Sequence, residues 1–241
     1  MENGTLAAMH ADDLALLQPH FERVELKLKH ILFEADAPIE HVHFFLGGLS
    51  SEIATLDGKG QLEIGCVGRE GFSGHSVLLG VEASPHFAFM QASGSALRIR
   101  SDILLSATDT SKRLRMLLLR FIHVLMVQIA SSAVSDARFT VRQRLARWLL
   151  MCQDRIGDEL PLTHEFLALM LGVRRSGVTE MIHVLEGENL IRAVRALITV
   201  KDRQGLIDVA AGCYGLPESE YRRLINPNLQ SLGTTPRRTA S

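Results

Sequence analysis

Residues 161–200 read PLTHEFLALM LGVRRSGVTE MIHVLEGENL IRAVRALITV, and the order of residue types in this stretch decides the fold of the C-terminal half. Pro161-Leu162-Thr163 opens a helix with Thr163 at its N-cap, where a hydroxyl can accept from a backbone N–H of the first turn. Leu167 and Leu171 give that helix an inner face, and Ala168 is small where a second helix must pass closely. Gly172 supplies the positive φ of the turn. Val173, Val178 and Met181 form the inner face of the following helix. A small residue, a turn glycine and flanking apolar residues at these spacings are what a helix-turn-helix needs to close its angle. Glu188-Asn189-Leu190-Ile191 and the run from Arg192 to Val200 follow as two β-branched, alternating segments around a basic turn. They predict a hairpin, and a hairpin directly after the second helix is a wing.

The second helix begins near Arg174-Arg175-Ser176-Gly177, and the N-terminal turn of such a helix enters the major groove of DNA. Arginine suits a bidentate contact with guanine O6 and N7, so Arg175 is the expected base reader. Arg174, Ser176 and Gly177 stand beside it, for base or phosphate. Thr163 and His164, at the start of the first helix, are placed for the phosphate backbone. Arg192 and Arg195 of the wing can approach phosphates as well. Glu180, one turn beyond Ser176, can accept from cytosine N4 but is repelled by nearby phosphate. Charge agrees with this placement. The net charge of −1 divides into 11 Lys/Arg against 16 Asp/Glu over residues 1–137 and 15 against 11 over residues 138–241. Only the C-terminal half is expected to meet a polyanion.

Working outward, the 241 residues allow two modest domains, with 46% hydrophobic and 22% charged residues as in ordinary globular chains. Cys66, Cys152 and Cys213 are odd in number and far apart, with no CxxC pair. They suit a reducing compartment and give no metal or disulfide framework. An iron–sulfur cluster needs about four clustered thiolates. Met1 to His10 is mixed and polar rather than a secretory leader, so a cytoplasmic location is expected.

Residues 5–20 predict a short helix, with Leu6, Met9, Leu14 and Leu17 at helical spacings. From Phe21 to about Leu105, short apolar runs such as His43 to Leu46 and Leu97 to Arg100 alternate with turn signals at Asp57-Gly58, Gly68, Gly71 to Gly74, Gly80 and Ser93-Gly94. This predicts an antiparallel sandwich or barrel. A long helix from Ser111 to Val134 carries Leu114, Leu118, Phe121, Leu125 and Ile129 on one stripe, widened by Leu117, Ile122 and Met126. Arg120, His123 and Gln128 interrupt it, which argues against a membrane span. A helix too apolar for one partner predicts packing on these strands with one face and on a second copy with the other, hence a homodimer through residues 111–134. Thr140 to Gln143 is a capping-box pattern opening the next helix, whose core face is Leu145, Trp148, Leu149 and Cys152 and whose end is Gly157. Ser135 to Phe139 is then the expected hinge. The fold class predicted is α+β, with a sensory domain at 1–110, a dimerisation helix and hinge at 111–137, a DNA-binding domain at 138–225 and a flexible tail at 226–241.

In this order and spacing, Val42 to Leu49, Gly68 to Gly74, Arg144 to Leu150 and Leu162 to Val200 resemble the Crp/Fnr superfamily of bacterial transcription regulators. Asp202 to Leu206 and Cys213-Tyr214-Gly215 are similar to the tails of many members. The resemblance covers nearly the whole chain. It implies a cyclic-nucleotide-binding-like β-roll or jelly roll, a long dimerisation helix and a winged helix-turn-helix that binds a pseudo-palindrome in double-stranded DNA, with RNA polymerase as a further partner. It places the base-contacting arginine at Arg175 and the phosphate contacts at Thr163 and His164. A second arginine common in the family's reading helix is Glu180 here, so the family's usual operator is not expected.

The effector site implied by the resemblance departs further. The positions that match the nucleotide pocket are Gly74, His75, Pro85 and His86, in place of a glutamate and an Arg-Ser pair. Pro85 offers neither charge nor N–H to a phosphate, so cyclic AMP in the usual pose is not expected, the effector is unknown and no cofactor is implied. His41 and His43 share a strand face, but no carboxylate or thiolate obviously completes a metal site, and none is predicted. An alternative reading is a cyclic-nucleotide-responsive signalling module acting through protein contacts, against which Pro85, Arg174 and Arg175 all argue. No Ser/His/Asp constellation, Walker loop or HExxH helix is present in the sequence, so enzyme activity is not expected.

Overall fold

The computed structural model describes residues 2–55 and 60–226. The Asp57-Gly58 turn signal and the 227–241 part of the expected tail lie outside the described residues. The first helical segment is two helices, α1 (Gly4–Ala7) and α2 (Ala11–Leu17), rather than one. The break comes at His10, an N-cap whose Nδ1 accepts from the Asp12 N–H at 3.3 Å. Leu6 and Leu17 are buried, as their spacing requires.

Eight strands follow: β1 (Glu22–Leu26), β2 (Ile31–Phe33), β3 (His41–Phe45), β4 (Leu49–Thr55), β5 (Gln61–Val67), β6 (Phe72–Ser73), β7 (Phe87–Ala92) and β8 (Gly94–Arg100). They form two four-stranded antiparallel sheets, ordered β1-β8-β3-β6 and β2-β7-β4-β5. Phe44, Phe45, Phe72, Met90 and Ile99 are fully enclosed in the roll's core. The strand pattern ends at Arg100. Residues 101–110 are a helix, α3 (Ser101–Thr110), with Leu104 buried. Ile103-Leu104-Leu105 extends the strand reading in the sequence because a short apolar run has no distinguishing period.

Helix α4 (Lys112–Arg138) is capped by Ser111, whose hydroxyl accepts from the Leu114 N–H. It runs through residues 135–138, so the hinge expected at Ser135 to Phe139 contracts to Phe139-Thr140. There the predicted capping box forms, with Thr140 and Gln143 bonding reciprocally at the start of α5 (Val141–Ile156). The C-terminal half continues with β9 (Glu159–Leu160), α6 (His164–Leu171), α7 (Arg175–Gly187), β10 (Ile191–Val194), β11 (Leu197–Val200), α8 (Arg203–Ala210) and α9 (Leu216–Leu224). β9 pairs with β11 and widens the wing to three strands. Two residues carry no readable alternation, which is why the sequence hides it. Leu145, Trp148, Leu149, Cys152, Leu167, Leu171 and Val178 are buried as expected, whereas Met181 is half-buried and Ile182 and Leu185 complete the inner face of α7.

The apolar surplus of α4 has three outlets. Leu114, Leu118, Phe121, Ile122 and Leu125 are buried on the roll side. Val124 lies under α9, which packs back along α4, while the Gln128 amide turns to the roll and bonds both the N–H and the carbonyl of Cys66 on β5. Met116, His123, Met126, Ala130 and Val134 remain exposed on one stripe, at steps of seven, three, four and four residues. The helix is long and apolar enough to cross a membrane by length and composition, but two of its faces are engaged by the rest of the chain.

The two halves meet at the turn Gly68-Arg69-Glu70-Gly71. Arg155 of α5 donates to Glu70 at 2.7 Å, both side chains being 7% exposed, and Arg69 reaches the Asp154 carbonyl. Gly68 and Gly71 are glycines because of what lies against them. A Cβ on Gly68 would stand 2.8 Å from Arg155 Cβ, and one on Gly71 would stand 1.9 Å from the Phe121 ring. Gly71→Ala therefore forces Phe121 off its seat, and thermal unfolding should show a loss of about 1–3 kcal/mol or more from overpacking.

A second contact between the halves carries a titratable group. Trp148 Nε1 donates to Glu63 on β5 at 3.0 Å. Burial raises the Glu63 carboxyl from 4.5 to about 7, against the lowering pull of Ser51, Trp148, Arg155 and Arg147. The native state thus holds this proton more tightly than the unfolded chain, so its contribution is full below pH 4.5 and is lost as pH rises through about 7. Buried His43 and His75, lowered to about 3 and about 4 chiefly by desolvation, run the opposite way. Only a difference isolates Glu63. Glu63→Gln should flatten the fall in stability between pH 5 and 7.5 relative to the parent, by an amount on the order of 2–3 kcal/mol, in urea unfolding series.

Candidate nucleic-acid interface

Thr163 caps α6, its hydroxyl accepting from the Phe166 N–H at 3.1 Å. Gly172 adopts φ +59 at the C-terminus of α6, and the Val173 N–H closes onto the Ala168 carbonyl at 3.1 Å. The left-handed residue lets the chain reverse within two residues and start α7 across α6. Arg144 of α5 donates to the Leu171 carbonyl, one of the orphan acceptors of the helix end, and pairs with Asp136 of α4 at 2.6 Å. The angle of the helix pair is thereby tied to the end of the long helix.

Arg174 is the N-cap of α7 and gives no side-chain cap hydrogen bond. The Gly177 and Val178 N–H groups already bond the Arg174 carbonyl, which leaves those of Arg175 and Ser176 and the positive dipole end for an anion. Arg174, Arg175, Ser176 and Glu180 are exposed and Gly177 is half-buried. Arg175 makes only a 3.7 Å pair with Glu165, with side chains 67% and 78% exposed, which is too loose to hold it from another partner. His164 is half-buried, and its Nδ1 lies 2.9 Å from Thr179 Oγ1, which also donates to the Arg175 carbonyl. The His164 ring thus braces α6 against α7 as well as standing at the end of α6. Thr179 and His183 were not singled out by the sequence. Their signal is their spacing, three residues beyond Ser176 and Glu180; Thr179 turns to α6 through His164, and His183 is exposed on the outward face of α7.

The wing turns at Arg195 (φ +45) and Ala196 (φ +64), two successive left-handed residues as a tight hairpin demands. Arg192 and Arg195 are exposed. Glu186 of α7 accepts from the Ala193 N–H at 2.7 Å and fixes the wing to the end of α7, a tie not visible in the sequence. α7, the wing and the capped start of α6 are thus tied to one another through the His164–Thr179 and Glu186–Ala193 contacts.

In the roll, Gly74 (φ +88) leads into a short 3-10 helix, His75–Leu79. His75 faces Glu52, Nδ1 to Oε2 3.7 Å, a carboxylate neighbour that sequence spacing did not show. Burial raises Glu52 to about 7 and lowers His75 to about 4. Pro85 is exposed, and the half-buried His86 has its Nδ1 enclosed without a hydrogen-bond partner. His41 and His43 have ring centroids 6.4 Å apart. Among the described residues no three His, Cys, Asp or Glu side chains converge as a metal site.

Residues 143–209 match the Crp-like helix-turn-helix domain family. No curated protein sequence matches the chain. Similar solved structures include the c-di-GMP responsive global regulator CLP of Xanthomonas campestris, 17% identical with a TM-score of 0.65, covering 79% of this chain and 99% of that one. FixK2 of Bradyrhizobium japonicum is 14% identical with a TM-score of 0.68, covering 78% and 96%. A Crp/Fnr-family regulator from Eubacterium rectale is 16% identical with a TM-score of 0.66, covering 86% and 97%.

Proposed function

We propose that this chain, which carries a Crp-like helix-turn-helix domain within the fold of the Crp/Fnr regulators, binds operator DNA as a homodimer and regulates transcription. The observation that carries the reading is the open N-terminal turn of α7, with Arg174, Arg175 and Ser176 exposed around it. Arg175 reads a base, Arg174, Ser176 and Gly177 flank it, and Thr163 and His164 with Arg192 and Arg195 meet phosphates. Glu180 selects against the family's usual operator. Footprinting of purified protein on promoter fragments tests this. Two protected half-sites about 34–36 Å apart, one helical turn, are expected. Uniform, sequence-independent protection counts against it.

The exposed stripe Met116, Met126 and Val134, with Ala130 and His123 between, supports the second copy along α4. Met126→Glu together with Ala130→Glu puts like charges into that seam. Sedimentation should then show a monomer where the parent is a dimer. The pocket positions support a roll that does not hold cyclic AMP in the family's way. Glu52 adds a carboxylate beside His75, and Pro85 lacks an N–H, so neither favours a cyclic phosphate. Calorimetry with cyclic AMP is expected to give no binding heat.

A further inference from the structure

The turn at residues 68–71 is gripped from a third direction. After α8 the chain reverses through Gly212 (φ +87) and Gly215 (φ +111) and runs back along α4 as α9. Pro217 and Tyr221 are buried there. The Tyr221 hydroxyl donates to the Glu70 carbonyl at 2.9 Å, and the same carbonyl accepts from Thr5 at 2.7 Å. Outside this core Glu220 stands 3.6 Å from His123 of α4. The DNA-binding half is thus fastened to one turn of the roll at both of its ends, through Arg155 on its first helix and Tyr221 on its last.

The seat under α9 is less well sealed than a core. A cavity of about 20 Å³ lies among Glu70, Phe121, Gln128, Arg155, Glu218 and Tyr221, and Glu218 Oε2 is enclosed without a hydrogen-bond partner. Of the nine residues of α9 only Pro217 and Tyr221 are buried, a small seat for a helix, so α9 can leave at modest cost. While α9 is seated, α6 lies on the roll. Phe166 stacks on Phe89 at 6.1 Å, and Leu62 Cδ1 is 3.1 Å from where a Cβ on Gly172 would stand. A reading helix enters the groove N-terminus first, with phosphates on both flanks. Here β5 stands on one flank of the turn that leads into it.

We propose that α9 is a strap that holds the DNA-binding half docked on the roll in an arrangement that disfavours DNA, and that its release from α4 frees the reading head to reorient. The DNA part of this rests on the function proposed above. A docked state favoured by about ten to one lowers apparent affinity about tenfold, so that is the size of effect to be read.

The position of the head is measured first, without DNA. Spin labels on Glu34→Cys and Lys201→Cys, in a Cys213→Ser background diluted with excess unlabelled protein so that only distances within one chain are read, should give one narrow distance in the parent and a second, longer one when Tyr221→Ala is added. An unchanged distribution overturns the strap. Affinity is measured next, by fluorescence anisotropy on promoter DNA. Tyr221→Ala should bind about tenfold more tightly. Full-length Cys213→Ser/His123→Cys/Glu220→Cys protein joined within one chain by a short bis-maleimide keeps α9 seated without emptying its core, and because His123 borders the proposed seam, sedimentation and a denaturing gel must first show the parent's assembly state and no link between copies. It should bind at least about tenfold more weakly than the same protein unlinked, because the link removes the remaining competent fraction. Equal affinity of linked and unlinked protein overturns the proposal. A distance shift in Tyr221→Ala with no DNA binding by any of the proteins supports the strap and sinks the DNA-binding reading instead.

Discussion

On the proposed reading, Arg175→Ala should cost about 1–3 kcal/mol of operator binding per reading head, so that a homodimer loses at least about thirtyfold in affinity at fixed salt. The size follows from geometry. Arg175 sits in the first turn of α7, its partner among the described residues is Glu165 in a loose 3.7 Å pair, and it is exposed. Removing it takes nothing from the core, so circular dichroism and the unfolding midpoint should be those of the parent. Arg175→Lys separates charge from fork. It keeps the electrostatic attraction but cannot give two parallel hydrogen bonds to guanine, so discrimination among operator variants should relax while the salt slope stays. Arg192→Ala in the wing should behave the other way, weakening all sequences alike and lowering the salt slope by about one per head. Anisotropy titrations at several salt concentrations distinguish the three. Equal operator affinity for parent and Arg175→Ala would remove Arg175 from the reading role and shift attention to Ser176, Glu180 and His183.

The C-terminal half is legible in the sequence because local rules suffice there. Thr163, Gly172 and Thr140 are caps and turns whose chemistry acts within four residues, and each does in the structure what its residue type allows. The roll is legible as a class, from turn signals and short apolar runs. What was hidden depends on partners distant in sequence. α3 reads as strand because Leu104 is buried by tertiary contact rather than by period. α9 carries only Pro217 and Tyr221 as buried residues, too few to announce a docked helix. The hinge looked wide because the small and polar residues after Val134 weaken the apolar stripe, whereas Asp136 is held by Arg144 from the next helix. Glu52 beside His75 and Thr179 beside His164 are likewise pairs across elements. The glycines of the 68–71 turn look like ordinary turn punctuation until Phe121 and Arg155 are seen against them.

Removing one member of the Glu70–Arg155 pair should be the most damaging single change to stability. Both side chains are buried, and Arg155 spends its other hydrogen bond on the Met151 carbonyl at 2.8 Å. Glu70 also accepts from the Gly68 N–H at 3.1 Å, which holds the turn in shape. Glu70→Ala leaves an enclosed guanidinium without its counter-ion, a loss of about 3–5 kcal/mol. Arg155→Met leaves the carboxylate stranded, but the carboxylate can take a proton and the methionine keeps the stem packing against Gly68, so it should cost less. The informative protein is the double variant Glu70→Leu/Arg155→Met. Two apolar side chains of similar volume avoid the desolvation that the ion pair must overcome, so the double variant should recover most of the stability lost by Glu70→Ala. Urea midpoints at constant m value read all three. If the double variant regains stability yet its reading head moves, as spin-label distances would show, the buried pair serves position rather than stability. If the head stays docked, Tyr221 and Trp148 suffice to place it. A double variant as unstable as Glu70→Ala would mean that the turn itself, through Gly68 and the Glu70 side chain, is what the fold cannot lose.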